Sequence, residues 1–255
     1  MRTLLVDNSN TRTKFALSDD KQLLDWRAII PTADISAESL AHTLANTQWD
    51  RSIISSVVPA KASTLEEYLK AKPCHLVSYK SQLPIGIDYP YPEQIGADRL
   101  VNAAAAHVLY GSPSIVLDFG TAVTFDVITA TGAPNHQSPK PAPAMYCGGV
   151  IAPGLAAMTE GLARRTALLP QIELEEPERA VGKSTEEAML AGAVYGYRGL
   201  VREIITELRK EIPGEPIIIA TGGDAPLITR GLPDIQHLAP QLTLEGLSIL
   251  ADLNN

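Results

Sequence analysis

The sequence predicts an α/β protein built from two duplicated halves, each a mixed sheet flanked by helices. Three observations carry this expectation. Short β-rich runs alternate with helical patterns along the chain. A strand that delivers an aspartate into a small polar turn occurs twice, as "LLVDNSNTRTKFAL" (4–17) and "SIVLDFGTAVTFDVI" (114–128). Each half also has a later strand running into a small-residue turn and a helix, "IISSVVPAK" in the first and "IIIATGGDAPLI" in the second. A period of roughly a hundred residues is too long for a solenoid and suits related half-domains, 1–112 and 113–255.

Taken in order, Leu4–Val6 and Thr13–Leu17 read as strands joined by a polar hairpin, with a third strand over Leu23–Ile30. Residues 36–48 read as helix. Ile53–Val58 reads as a strand, and Pro59–Lys70 as a helix with proline at its start. Pro90 and Pro92 precede an Ala-rich helix that ends at Gly111. Residues 131–144, rich in Pro and polar residues, read as a protruding hairpin loop with a solvated His136. The longest helical pattern, 183–212, carries an apolar stripe of Met189, Ala193, Leu200, Ile204, Leu208 and Ile212. Gly192, Gly196 and Gly199 on it permit close approach of another helix, as core or as a subunit interface.

Composition narrows the function. The 255 residues are 45% apolar and 20% charged, as in an ordinary globular protein. A net charge of -8 disfavours nucleic acid as a partner. Cys74 and Cys147 lack metal-like spacing and fit a reducing compartment. His42, His75, His107 and His237 show no ligand spacing either. The N-terminus has no signal-peptide core, and no run approaches the roughly 18 apolar residues of a bilayer span. The expected location is the cytoplasm, with no membrane partner.

The chemistry concentrates at the strand ends. Asp7 and Asp118 each lead into turns of Gly, Ser, Thr or Asn, whose N–H groups and hydroxyls suit anionic oxygens, while a carboxylate can hold Mg2+ through its water shell. If the halves face each other, both aspartates serve one cleft. Each also suits an ordinary turn position, and it is the repetition that favours function. "TGG" (221–223) follows a strand and leaves helix N–H groups free for a phosphate or adenosine. "GADR" (96–99) sets Asp98 and Arg99 at a helix start, as base and anion clamp or as dipole compensation and surface charge. No Walker-A or protein-kinase motif is present.

Together Asp7-Asn8-Ser9-Asn10-Thr11, "ISSVVP" (54–59), Tyr89 with "GADR", "DFGTAVTFD" (118–126), "GGVIAPG" (148–154), "TALLP" (166–170), "GKSTEEAM" (182–189) and "TGG" resemble a known family. Over nearly its whole length the chain is similar to the type III pantothenate kinases of the acetate and sugar kinase/Hsp70/actin superfamily. The resemblance implies ribonuclease H-like halves of the actin-like ATPase kind, and ATP-dependent phosphorylation of pantothenate at the first step of coenzyme A biosynthesis. It implies that Asp7, Asn8, Ser9, Asn10, Thr11, Arg12, Thr13 and Lys14 contact ATP, with Asp7 near Mg2+. Asp98 becomes the general base, and Tyr89, Gly96, Ala97, Asp98 and Arg99 line the pantothenate site. Asp118 falls at a monovalent-cation site for K+ or NH4+, Thr121 falls on ATP, and Thr185 reaches pantothenate near the interface of a homodimer.

One residue departs from the family pattern. Ser9 stands where glycine is usual, so a requirement for positive φ would strain it, and its Cβ would crowd a phosphate. A sugar or small-acid kinase of the same superfamily is the rival enzyme reading. A regulatory relative resembling a transcription accessory factor is the non-enzymatic one.

Overall fold

The computed structural model describes residues 1–130 and 143–254. In chain order the first elements are β1 (Arg2–Asn8), β2 (Arg12–Asp19), β3 (Gln22–Pro31), α1 (Ala37–Leu44), β4 (Arg51–Ser56) and α2 (Pro59–Leu69). Next come β5 (Cys74–Leu76), β6 (Gly86–Ile87), α3 (Ala97–Leu109), β7 (Ser114–Phe119), β8 (Ala122–Ala130) and β9 (Ala144–Pro153). The chain ends with α4 (Leu155–Arg165), α5 (Thr185–Glu211), β10 (Ile217–Gly222), α6 (Ala225–Ile228), β11 (His237–Leu238) and α7 (Leu242–Leu253).

The chain forms two compact units. The first draws on Met1–Gly111, Ala130–Cys147 and Gln241–Asn255, the second on Ser112–Thr129 and Gly148–Pro240. The linear division at 112/113 differs from this at Ala130–Cys147 and at the C-terminus, where α7 packs on α3 of the first unit. Leu244, Leu247, Leu250 and Ala251 of α7 share one buried cluster with Ala97, Val101 and Ala104. The approach is close: a Cβ on Gly246 would lie 2.5 Å from the Val101 carbonyl oxygen. Arg51 secures the end of α7 by donating to the Ala251 carbonyl at 2.6 Å and to the Asp252 carboxylate.

The first sheet has the order β3-β2-β1-β4-β5. β1 pairs antiparallel with β2 and parallel with β4. The other sheet has the order β6-β9-β8-β7-β10-β11, repeating the plan from β9 to β11 with β6 added at the edge. β7 takes the place of β1, antiparallel to β8 and parallel to β10. Strands buried on both faces explain the continuous apolar runs: Leu4, Leu5 and Val6 are fully buried. Each such side chain contributes about 1.5–3 kcal/mol.

Period-two alternation assigns the β1 residues to opposite sides. Leu4 and Val6 join the cluster with Leu40 of α1 and Leu65 of α2. Leu5 joins the cluster with α3 and α7. The β2–β3 hairpin turns through Asp20 (φ 46°) and Lys21 (φ 68°), the only non-glycine residues with positive φ among the described residues.

Several local expectations change. The first helix is shorter than 36–48, ending at Leu44, with Ser36 as its N-cap. On α5 the buried stripe is Ala191, Val194, Tyr197, Arg198, Val201 and Ile205, offset from the one expected. Met189, Ala193, Leu200, Ile204 and Leu208 are half-buried beside it, whereas Ile212, at the end of the helix, is buried as expected. Arg198 belongs to the buried stripe because its charge is met: it pairs with both carboxylate oxygens of Glu176 at 2.8 and 2.7 Å and with the Leu227 and Ile228 carbonyls. The expected loop at 131–144, with His136, lies outside the described residues except at its end, where Ala144 opens β9.

Candidate active site

The motif Asp7–Lys14 is divided by the pleat into a chemical half and a structural half. Asn8 and Thr13 are opposed in register, as are Asp7 and Lys14. Asn8 Nδ2 donates to Thr13 Oγ1 at 2.7 Å, Ser56 Oγ donates to Asn8 Oδ1 at 2.6 Å, and Thr13 Oγ1 meets Thr32 Oγ1 at 3.0 Å. Thr32 Oγ1 in turn donates to the Ser9 carbonyl at 2.7 Å. The Asn8 and Thr13 side chains are buried in this network, which fixes the turn from behind. Asn10, Thr11 and Arg12 form its exposed tip.

Asp7 projects from the other side of the sheet, shared with Leu5, and is 3% exposed. Its Oδ1 accepts from Ser9 Oγ at 2.8 Å and its Oδ2 from Lys14 Nζ at 3.2 Å. Ser9 does not have positive φ, so the feared backbone strain is absent. Its hydroxyl is turned onto Asp7, and the turn accommodates the side chain that glycine would lack.

Asp98 stands at the start of α3, on the helix that covers this side of β1 and β4. Its Oδ1 accepts from the Arg99 N–H at 2.8 Å. Burial pushes its pKa above the ordinary carboxylate range, the Arg99 hydrogen bond opposes this, and the Asp7 charge pushes it further up. Gly96 makes room for the carboxylate, since a Cβ there would lie 2.6 Å from Asp98 Oδ1. A buried carboxylate with a raised pKa near a second one is the profile of a general base.

Tyr89 and Arg99 share a neighbour that sequence reasoning missed. Tyr146 is fully buried. Its ring centroid lies 6.3 Å from that of Tyr89, and the Arg99 guanidinium carbon stands 5.7 Å from it. β6 pairs with β9, Ile87 opposite Tyr146, and the Asp88 N–H donates to the Tyr146 carbonyl at 2.9 Å. The only local signal for Tyr146 was its place just before "CGGV".

In the second unit Asp118 ends β7, paired with Thr124 of β8 and Thr221 of β10. Thr121 lies at the exposed tip of the following turn. The start of α4 closes on that turn: the Gly154 N–H donates to the Thr121 carbonyl at 3.1 Å. A Cβ at Gly154 would lie 2.4 Å from the Gly120 carbonyl oxygen, so only glycine allows this approach. Gly222 of "TGG" has φ 94° and abuts Phe119. Thr185 is the exposed first residue of α5, whose cap is Ser184 Oγ accepting from the Glu187 N–H at 3.1 Å. Both aspartates therefore stand near the end of equivalent strands, each antiparallel to the next strand and parallel to a later one.

Among the described residues no group of three or more His, Cys, Asp or Glu could hold a metal by protein ligands alone. Mg2+ in phosphoryl-transfer sites needs only one or two carboxylates, with substrate phosphates and water completing its shell, and Asp7 beside a turn of Ser, Asn and Thr fits that kind of site. Among the described residues no helix is long and apolar enough to cross a membrane.

Comparison with known proteins identifies the fold and the family. The ethanolamine utilization protein EutJ from Carboxydothermus hydrogenoformans aligns with a TM-score of 0.58 at 15% identity, covering 98% of this chain and 90% of that one. A glucokinase from an Antarctic psychrotroph aligns with a TM-score of 0.52 at 11% identity, covering 98% and 99%. The fold is thus the α/β fold of actin-like ATPases and sugar kinases. A type III pantothenate kinase of Akkermansia muciniphila is 53% identical over 254 residues, covering 100% of both chains. The profile of the type III pantothenate kinase family matches residues 3–207, and the chain belongs to that family.

Proposed function

We propose that the protein transfers the γ-phosphoryl group of ATP to the primary hydroxyl of pantothenate, yielding 4'-phosphopantothenate and ADP in the cytoplasm. The observation that carries this reading is Asp98: a carboxylate of raised pKa at a helix start, under the influence of Asp7 at the head of a phosphate-binding turn. Asp98 takes the proton of the pantothenate hydroxyl as its oxygen forms the new bond to the γ-phosphorus. The bond from that phosphorus to the β,γ-bridging oxygen breaks, and the electron pair leaves with ADP.

The 8–14 turn receives the triphosphate through its N–H groups and the exposed residues Asn10, Thr11 and Arg12, with Lys14 adding positive charge. Asp7 would hold Mg2+ through water, and the ion would supply neutralisation of the charge that develops on the phosphates. Arg99 and Tyr89 hold pantothenate, with Gly96 and Ala97 shaping the space around it. Thr121 would contact ATP, and Asp118 would hold K+ or NH4+ at the end of its strand.

Thr185 reaches pantothenate at the interface of a homodimer. Support for a second copy comes from the second unit's surface. Ile151, Met158, Leu162, Leu168, Val181 and Tyr195 are exposed there, and Gly192 and Gly196 on α5 have open space beside them. The test is a coupled ADP-release assay with pantothenate, with and without K+, beside a panel of sugars. Turnover with pantothenate that K+ stimulates is expected. Turnover with a sugar alone would reassign the acceptor, and no turnover with any acceptor would favour a regulatory role.

A further inference from the structure

The motif "ISSVVP" supplies a hydroxyl that the roles above leave unused. Ser55 lies on β4 directly opposite Asp7 of β1 in parallel register. Residues so paired project to the same side of the sheet. Leu5 and Ile53, two residues earlier on each strand, both pack in the cluster with Ala97 and Val101 of α3. Asp7, Ser55 and the start of α3 that bears Asp98 therefore occupy the same side and the same end of the first sheet.

Ser55 is 1% exposed, and its Oγ has no hydrogen-bond partner among the described residues. Leaving a buried hydroxyl unpaired is costly, and native proteins retain such groups where a ligand completes them. Ser114 and Ser248 also have unpartnered hydroxyls, but neither is in register with a site residue. Its neighbour Ser56 has a different task, since it points to the other side and holds Asn8.

We infer that Ser55 is a substrate-binding residue whose hydroxyl donates to the oxygen of the acceptor alcohol. The surroundings select that occupant. Asp7 stands beside the position and Asp98 opens the helix over the same side of the sheet, so a neutral hydroxyl, able to give its proton toward Asp98 and accept from Ser55, suits it better than a bare phosphate oxygen. One lone pair of the alcohol is then occupied by Ser55 and another stays directed at the phosphorus, which orients attack. This rests on the pantothenate kinase reading, and it adds a residue to the acceptor side of that site.

The experiment compares the unaltered chain with Ser55→Ala in three measurements: melting temperature without ligands, calorimetric affinity for pantothenate in the presence of ADP and Mg2+, and calorimetric affinity for a non-hydrolysable ATP analogue with Mg2+. The expected result is an unchanged or higher melting temperature, since an unpaired polar group is removed. Pantothenate affinity falls roughly three- to ten-fold, the value of one hydrogen bond, and nucleotide affinity is unchanged. A lower melting temperature or failure to fold would give the hydroxyl a structural partner and overturn the inference. So would equal pantothenate affinity in the two proteins, or a loss confined to the nucleotide, which would assign Ser55 to the metal–triphosphate side. If the unaltered chain itself neither binds nor phosphorylates pantothenate, the functional reading falls first and this inference with it.

Discussion

Asn8 and Thr13 face one another across the first hairpin, and the 2.7 Å hydrogen bond between their buried side chains links its turn to Thr32 and Ser56. The motif's polar residues thus do two separate jobs, one on each side of the sheet. Thr13→Val keeps the shape but deprives Asn8 and Thr32 of a partner inside the protein. A loss of about 1–3 kcal/mol is expected, read as a drop in Tm of several degrees. The KM for ATP should rise as well, because the turn is held only from behind.

Asp98→Asn separates chemistry from stability. Turnover should fall by about 10²- to 10⁴-fold while nucleotide affinity, measured calorimetrically, is retained. The pH dependence has a definite sign. A carboxyl whose pKa is raised by folding stabilises the native state when protonated, and that contribution is lost as pH rises through the folded value. At neutral pH the charged form is a burden. Asp98→Asn should therefore melt higher than the parent at pH 7, with the gain shrinking as pH falls toward the ordinary carboxylate range. A variant that melts lower at pH 7 would contradict this assignment of burial as the main cause.

Gly96→Ala tests how the base is housed. The added methyl would sit 2.6 Å from Asp98 Oδ1, a side-chain atom that can move without disturbing the backbone. The fold should tolerate the change, with a Tm close to the parent, whereas kcat should fall by roughly 10²-fold because displacement of a base by about 1 Å is enough. Comparable losses in Tm and kcat would indicate a general packing defect instead.

Tyr146 seats both Tyr89 and Arg99. Tyr146→Leu removes the ring that each side chain rests on, at about 1–2 kcal/mol in total for aromatic and cation–π contacts. The KM for pantothenate should rise roughly ten-fold, with that for ATP unchanged. Tyr146→Phe keeps the ring and should restore most of the affinity. Equal effects of the two substitutions would move the importance from the ring to the hydroxyl.

Much of this protein is legible along the chain. The duplication is visible because a buried strand must be apolar until it ends, and Asp7 and Asp118 mark that end twice. The turns are legible from Ser, Thr, Asn and Gly, and the α3 start from Pro92 and the helical run after "GADR". Apolar periodicity alone sets the α5 stripe one step off its observed position, because Arg198, charged in sequence, is buried through its pairing with Glu176. Helix α7 gave no local sign of joining the first unit, since its apolar face would fit either sheet equally well until α3 accepted Gly246.

The sequence by itself determined where residues suited to chemistry cluster: the strand-end aspartates, the GADR acid and base, and the small turns. Those signals are local, set by period-two burial and by the backbone preferences of turn residues. Only the tertiary structure decided how they are shared out. It turned Asn8 and Thr13 into a buried brace, gave Ser9's hydroxyl to Asp7, brought Tyr146 under Tyr89 and Arg99, and left Ser55 unpaired beside Asp7. Each of these outcomes depends on which strand or helix lies alongside, and such neighbours are fixed by long-range pairing rather than by the residues next in the chain.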